Sequence, residues 1–205
     1  WWDLPLFLLF FIVACHFSMI VANEIAVMAV SPKPLPKMDF SSGIPEHLLT
    51  LVVVPTMLTG KASIGRLFDD LEIRFLANRD TFLYFALLTD FCDAATETSP
   101  DDEQLIKEAR RRVLELNEKY LRGKYAPFFL FHRPRLWNPQ EEIWMGRERK
   151  RGKIEELNNF LRCRIPDAFS VIVGDTAVLS GVRYVITLDT DTQLPRDSAR
   201  QLIGA

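Results

Sequence analysis

The chain has 205 residues, of which 48% are hydrophobic and 25% charged, and its formal net charge is −2 at pH 7. This length is enough for one sizeable core and an appendage. A charge so close to balance gives no reason to expect a nucleic-acid partner. The three cysteines are widely spaced, with no CxxC pair and no histidine at ligand spacing nearby, which favours a reducing compartment over a disulfide framework.

The first 30 residues are almost wholly apolar. Their strongly polar residues after Leu4 are His16, Asn23 and Glu24. A run of this length can cross a bilayer core of about 30 Å, so we predict a transmembrane helix over residues 1–30. A buried helix of a soluble protein is the alternative. A secretory signal fits poorly, because no basic region precedes the run.

A proline-rich linker is predicted over residues 31–46. Its first part, SPKPLPKM, contains three prolines, which stop a helix, and two lysines. The positive-inside rule places these lysines in the cytoplasm, and the enrichment of tryptophan at membrane interfaces predicts that Trp1 and Trp2 lie in an interfacial belt. We therefore expect the lipid bilayer as a partner and a cytoplasmic domain over residues 47–205.

Within that domain, apolar runs alternate with amphipathic segments. Strands are predicted over Leu48–Val54, Phe82–Thr89, Tyr125–Phe131, Phe169–Val173 and Tyr184–Leu188. Helices are predicted over Ser63–Arg79, from a cap at Ser99, from near Gly152, and over Pro195–Ile203. Pro55 and Thr56 are expected to end the first strand. Pro127 predicts that the third strand lies at an edge or begins at that residue. The alternation predicts an α/β fold, Rossmann-like in the broad sense, with a mostly parallel sheet flanked by helices and preceded by the transmembrane helix.

Two acids follow the last predicted strand. Asp189 and Asp191 are separated by one residue. Side chains two apart on an extended segment share a side, so both carboxylates can face one cation. Mg²⁺ or Mn²⁺ suits such a pair, because these ions prefer oxygen ligands and share them with substrate phosphates. An ordinary polar turn over Asp189–Thr192 is the alternative interpretation.

A third acid and a basic cluster complete the candidate site. Asp90 follows the second strand, and ligands of open α/β sheets bind beyond the carboxyl ends of the strands. Basic residues surround Gly152 at a helix start, where free N–H groups attract anions and a glycine permits close backbone approach; they are Arg147, Arg149, Lys150, Arg151 and Lys153. A solvated basic helix end is the alternative. No GxGxxG and no GxxxxGK[ST] is present, so cations must hold any phosphate. Together these groups describe a nucleotide-sugar donor site.

Several longer segments are more distinctive: LTLVVVPTMLTG, LEIRFLANRD, FALLTDFCDA, WMGRERKRGKIEELNNFLR and YVITLDTDTQLPRDSARQLIG. They resemble the glycosyltransferase domain of bacterial cyclic β-1,2-glucan synthases over about residues 36–205. The resemblance implies a GT-A-like fold and an inverting glucosyltransferase of the bacterial inner membrane. It also implies UDP-glucose as donor, a divalent metal and a growing β-1,2-linked glucan as acceptor. Residues 47–205 would be the N-terminal part of that domain. The general base would lie beyond Ala205, so we expect no turnover by this fragment alone.

The same resemblance implies roles for single residues. Asp189 would orient the donor ribose or diphosphate and share the metal with Asp191. Lys150 would contact the diphosphate, with Lys153 as a helper.

The nucleotide side of the predicted pocket has three members. Asp90 would accept a hydrogen bond from the uracil edge, and Pro55 and Thr56 would line the pocket. Arg147 stands where the family pattern has a tryptophan, which removes the expected stacking group at that position.

Two other classes of function use similar features. A metal-dependent nucleotidyltransferase would need a third acid, and the nearest candidate, Asp197, falls on a predicted helix. A non-catalytic, membrane-anchored nucleotide-binding module would use the same acids structurally.

Overall fold

A computed structural model describes residues 3–30, 36–121, 125–163 and 167–205. The chain divides into two compact units, Trp1–Lys37 and Met38–Ala205. The predicted interfacial tryptophans, Trp1 and Trp2, and residues 31–35 of the predicted linker lie outside the described residues.

The described part of the first unit is dominated by one apolar helix, α1 (Asp3–Ala29). It is long and apolar enough to cross a membrane, and none of its 27 residues is buried. α1 is a candidate membrane span.

The second unit contains seven strands and four α-helices among its described residues. The strands are β1 (Thr50–Leu58), β2 (Leu83–Phe91), β3 (Phe128–His132), β4 (Leu136–Asn138), β5 (Ile143–Met145), β6 (Val171–Val173) and β7 (Tyr184–Thr187). The helices are α2 (Lys61–Ala77), α3 (Asp102–Tyr120), α4 (Arg149–Cys163) and α5 (Ser198–Gly204).

Five of the strands form one sheet, in the order β6-β3-β2-β1-β7. β1 is parallel to β2 and to β7, and β2 is parallel to β3, while β6 runs antiparallel to β3. The predicted α/β fold with a mostly parallel sheet flanked by helices is therefore confirmed, although β6 departs from the parallel arrangement.

Helices cover both faces of the sheet. Alternate residues of β1 and β2 enter two separate core clusters, one containing side chains of α2 and α3 and the other side chains of α4. Strands buried on both faces are typically continuous apolar runs. This explains why LTLVVV and FLYFALL contain almost no polar residues.

β1 is longer than the sequence predicts. It continues through Pro55 and Thr56 to Leu58, so these two residues do not end it. The carbonyl of Val53 accepts from Leu188 on the β7 side, and β7 pairs with β1 only as far as Val53. The backbone N–H and C=O groups of residues two apart on a strand point towards the same neighbouring strand. Pro55 therefore points to the same side as Val53, where β7 has already ended, so its missing N–H breaks no hydrogen bond between strands.

Two other local predictions need correction. Ser99 does not cap α3, because that helix begins at Asp102 and the Asp102 carboxylate instead accepts from the Ser99 N–H at 2.8 Å. β3 is not an edge strand, because β6 pairs with its outer side. Pro127 directly precedes β3, in agreement with the other prediction from this proline, that the strand begins there.

Candidate functional site

A cleft of about 330 Å³ lies at the carboxyl ends of β1 and β2. The parallel register places Thr56 beside Thr89 and Met57 beside Asp90. The residues that line the cleft are Pro55, Thr56, Met57, Asp90, Phe91, Asp93, Gly146, Arg149, Lys150, Lys153 and Thr190. The structure thus brings five of the predicted site residues to one cleft: Pro55, Thr56, Asp90, Lys150 and Lys153.

Asp90 is buried in the cleft wall and bound by two cations. Arg133 donates to Oδ1 from Nε and to Oδ2 from Nη2, both at 2.8 Å, and Lys153 Nζ lies 3.2 Å from Oδ2. Arg133 also bonds Glu156 at 2.8 Å. Burial alone would lower the pKa of Arg133, but its bonds to Asp90 and Glu156 hold that pKa above its usual value. These four side chains form a buried charge cluster with two acids and two bases.

The two predicted lysines differ in exposure and surroundings. Lys153 is 3% exposed, and its ammonium group donates to the carbonyl of Thr56. Burial lowers the pKa of Lys153, and the nearby Asp90 carboxylate opposes this effect. The side chain of Lys150 is 52% exposed and forms an ion pair with Asp189. Lys153 is therefore a fixed cation of the wall, and Lys150 an adjustable one at the mouth.

The turn Gly146–Arg149, here called the basic turn, leads into α4. A Cβ on Gly146 would lie 2.2 Å from Oδ2 of Asp90, so only glycine fits there. Glu148 and Arg149 have φ values of 47° and 48°, a left-handed conformation that is unfavourable for non-glycine residues. Arg133 supports this turn, because it donates to the carbonyls of Arg147 and Arg149, each at 3.1 Å.

Gly152, predicted to allow close backbone approach, does so for the protein's own chain. A Cβ at this position would lie 2.1 Å from the carbonyl oxygen of Arg147. Arg147, found where a tryptophan was expected, is half-exposed and lies 3.3 Å from a carboxylate oxygen of Glu156.

Asp189 and Asp191 lie on the segment Asp189–Thr192, here called the acid loop, which Leu188 separates from the end of β7. The loop is a turn, in which the N–H of Thr192 donates to the carbonyl of Asp189 at 3.0 Å. The two acids therefore do not lie on an extended segment, as the prediction of a shared side assumed, and the turn matches the alternative interpretation of Asp189–Thr192. Asp189 reaches Lys150 across the mouth of the cleft, and Thr190 lines the cleft itself. Both acids are exposed. Among the described residues no three His, Cys, Asp or Glu side chains form a group that could hold a metal ion.

Sequence reasoning missed the two arginines that hold these loops. Arg133 directly follows β3, in a stretch that gave no regular pattern, and Arg74 lies on the buried stripe of α2 between Leu71 and Phe75. The available signal was positional: a charged residue at the end of an apolar strand, and another on an apolar helix face. His132 is fully buried, and its Nδ1 lies 2.9 Å from the hydroxyl oxygen of Thr89.

Comparison with known proteins adds one relative. No family model matches the chain. The chain is 40% identical over 201 residues to the cyclic beta-(1,2)-glucan synthase NdvB of Rhizobium meliloti (strain 1021). The predicted resemblance to the cyclic β-1,2-glucan synthases is confirmed. The match covers 98% of this chain but only 7% of NdvB, so the chain corresponds to a small part of that relative's length.

Proposed function

We propose that this chain forms the donor-binding part of a membrane-bound glucosyltransferase that builds β-1,2-glucan from UDP-glucose with Mg²⁺ or Mn²⁺. The similarity to NdvB supports glucan synthesis. The observation that carries the proposal is the contact between Lys150 and Asp189, which joins the basic start of α4 to the acid loop at one cleft.

The diphosphate of the donor would lie between the two lysines and the acid loop. Lys150 has a flexible, half-exposed side chain, so it can leave Asp189 and bond phosphate oxygens instead. Lys153 is already held in the wall by Asp90 and the Thr56 carbonyl, so it offers a fixed positive charge. Lys153 is thus as important as Lys150 in this proposal, rather than its helper.

The metal would be held by Asp189 and Asp191. Two exposed carboxylates are hard oxygen ligands, as Mg²⁺ and Mn²⁺ require, and these ions usually take further ligands from substrate phosphates and water. The pair therefore fits a metal that arrives with the nucleotide. When bound, the metal would offset the negative charge that develops on the departing UDP.

The uracil would lie at the inner wall, against Asp90, Pro55 and Thr56. Among the described residues, Oδ1 of Asp90 accepts one hydrogen bond, from Nε of Arg133 at 2.8 Å. A carboxylate oxygen can accept two, so one position remains for an N–H of the base.

The proposal also includes inversion at the sugar, transfer to a glucan acceptor and attachment to the membrane. An inverting transfer needs a base that takes the proton of the acceptor hydroxyl, and we assign no residue of this chain to that role. The exposed apolar side chains of α1 would anchor the protein in the bacterial inner membrane, with the cleft in the cytoplasm.

A two-metal nucleotidyltransferase fits the cleft less well. Its third acid would have to be Asp197, which precedes α5 and lies 3.4 Å from Arg196, outside any described group of metal ligands. Nothing in the geometry favours this class over a sugar transferase.

Calorimetry on the full chain in detergent tests the proposal with UDP and GDP, each with and without Mn²⁺. UDP should bind more tightly than GDP and should need Mn²⁺. Lys150→Met should lower UDP affinity by roughly tenfold or more, as expected for loss of a charge-assisted hydrogen bond. Lys107→Met, which changes an exposed lysine of α3, is the matched control and should leave the affinity unchanged. Equal binding of UDP and GDP, or binding that ignores Mn²⁺, would contradict the proposed donor site.

A further inference from the structure

Helix α2 and the residue that caps its C-terminus carry two buried polar side chains. Arg74, within the helix, is 2% exposed, and Asn78, the cap residue one turn later, is 4% exposed. Arg74 lies in the chain between the buried apolar residues Leu71 and Phe75. A buried guanidinium is costly unless its donors are all used in hydrogen bonds or ion pairs. The partners of Arg74 therefore indicate what it does.

Within the described part of the chain, the Arg74 guanidinium donates three hydrogen bonds, and all three go to the backbone of the acid loop. Nε donates to the carbonyl of Thr192 at 3.1 Å, and Nη2 donates to the carbonyls of Thr192 and Thr190 at 2.9 and 2.7 Å. These two carbonyls flank Asp191 in the chain. Because the guanidinium is planar and its donors have fixed spacing, it specifies the distance between them.

Asn78 holds the segment that follows the acid loop. Its Nδ2 donates to the carbonyl of Leu194 and its Oδ1 accepts from the N–H of Ala199, both at 3.0 Å. The sheet itself offers little support, because β7 is an edge strand of four residues. α2 and its cap residue thus bond to the backbone of the segment 190–199 at Thr190, Thr192, Leu194 and Ala199.

Arg74 also places a positive charge near Asp191. Burial lowers the pKa of Arg74, whereas the charges of Asp70 and Asp191 raise it, so Arg74 and Asp191 interact electrostatically. A nearby cation stabilises the negative charge of that carboxylate.

We propose that Arg74 is the positioning residue of the metal-binding acids: by holding the carbonyls of Thr190 and Thr192, it fixes the acid loop so that Asp189 and Asp191 can share one cation. This role rests on the proposed function, because it assumes that the acids bind the metal that accompanies UDP.

The test compares Arg74→Met with Arg66→Met, which changes an exposed arginine of the same helix. The full chain in detergent is titrated with Mn²⁺ at fixed UDP, and with UDP at saturating Mn²⁺. Arg74→Met should raise the Mn²⁺ concentration for half-maximal UDP binding by roughly 10–100-fold, the usual effect of removing a residue that orients metal ligands. At saturating Mn²⁺ the UDP affinity should recover to within about threefold of wild type. Hydrogen exchange should become faster in residues 189–194 of this variant only.

The results separate this role from general destabilisation and from failure of the donor site. Equal loss of UDP affinity at every Mn²⁺ concentration, or unchanged exchange in residues 189–194, would overturn the role of Arg74. If the wild type shows no Mn²⁺-dependent UDP binding, the proposed function fails, and the exchange measurement alone decides whether Arg74 holds the loop. If Arg74→Met does not fold, Arg74→Lys replaces it in the test. Lysine keeps the charge but not the three hydrogen bonds, so the Mn²⁺ concentration for half-maximal UDP binding should rise by a smaller factor. No shift in that variant would also count against the role.

Discussion

The buried charge cluster around Asp90 gives the sharpest test of how the cleft wall is held together. Asp90 and Glu156 face Arg133 and Lys153, and the side chains of Asp90, Arg133 and Lys153 are each at most 5% exposed. Two acids balance two bases. Asp90→Asn keeps the shape but removes one negative charge, which leaves a net positive charge among these buried groups.

The structure sets the size of the effect. Asp90 accepts two bonds from Arg133, both at 2.8 Å, and lies 3.2 Å from Lys153. An asparagine oxygen can replace one carboxylate oxygen, but its amide group would point donors at a cation. Removing one partner of a buried ion pair costs about 3–5 kcal/mol. In a domain of this size that lowers the unfolding midpoint by roughly 6–20 °C.

Thermal unfolding of the full chain in detergent, followed by circular dichroism, measures the change. Asp93→Asn is the matched control, because Asp93 lies near the same cleft and pairs with Arg149 at 3.1 Å on the surface. Exposed pairs contribute about 0–1 kcal/mol, so this variant should melt within about 4 °C of wild type. If the Asp90 and Asp93 variants melt at the same temperature, the cluster does not stabilise the wall and this reasoning is wrong.

Two further substitutions probe the same region. Gly146→Ala would place a Cβ 2.2 Å from Oδ2 of Asp90, which its cations hold in place, so thermal unfolding should show a loss of about 1–3 kcal/mol. Gly60→Ala, where a Cβ would meet no atom within 4 Å, should change stability by less than about 0.5 kcal/mol. Burial lowers the pKa of His132 from 6.5 to about 4, so the folded protein favours the neutral form. This preference should contribute about 3 kcal/mol to the free energy of unfolding above pH 6.5, and the contribution is lost as the pH falls towards 4. His132→Gln cannot titrate, and its unfolding midpoint should therefore fall less than that of wild type between pH 6.5 and 4.5; equal falls would contradict this account.

The central strands could be predicted from the sequence because their burial on both faces removes polar residues. The runs around Val53 and Phe85 show this, and each was found to within a few residues. Two short strands could not be found in this way, because β4 and β5 have three residues each, too few to show a period. β6 lies within the predicted strand Phe169–Val173, but its antiparallel direction depends on its pairing with β3.

The convergence of the candidate site could also be predicted, but its supports could not. Parallel strands release their loops at one edge of a sheet, so Asp90 and the acid loop had to lie at the same end. Arg133 lies 43 positions from Asp90, and Arg74 lies 116 positions from Thr190. Such partners become visible only when the packing of the helices and the loops is known.

The cleft divides into a fixed wall and an exchangeable mouth, and this division suits a donor site. The wall pairs of Asp90 are buried and cannot be broken without leaving a charge in the interior. The Lys150–Asp189 pair at the mouth is more than half exposed on both sides, and pairs of this kind contribute little to stability. In the proposed donor site, a metal and a diphosphate would therefore replace this pair at small cost, with Lys150 turning to the phosphate and Asp189 to the metal. The wall would keep its geometry during the exchange, since Arg133 and Lys153 are held by protein groups that the ligand does not displace.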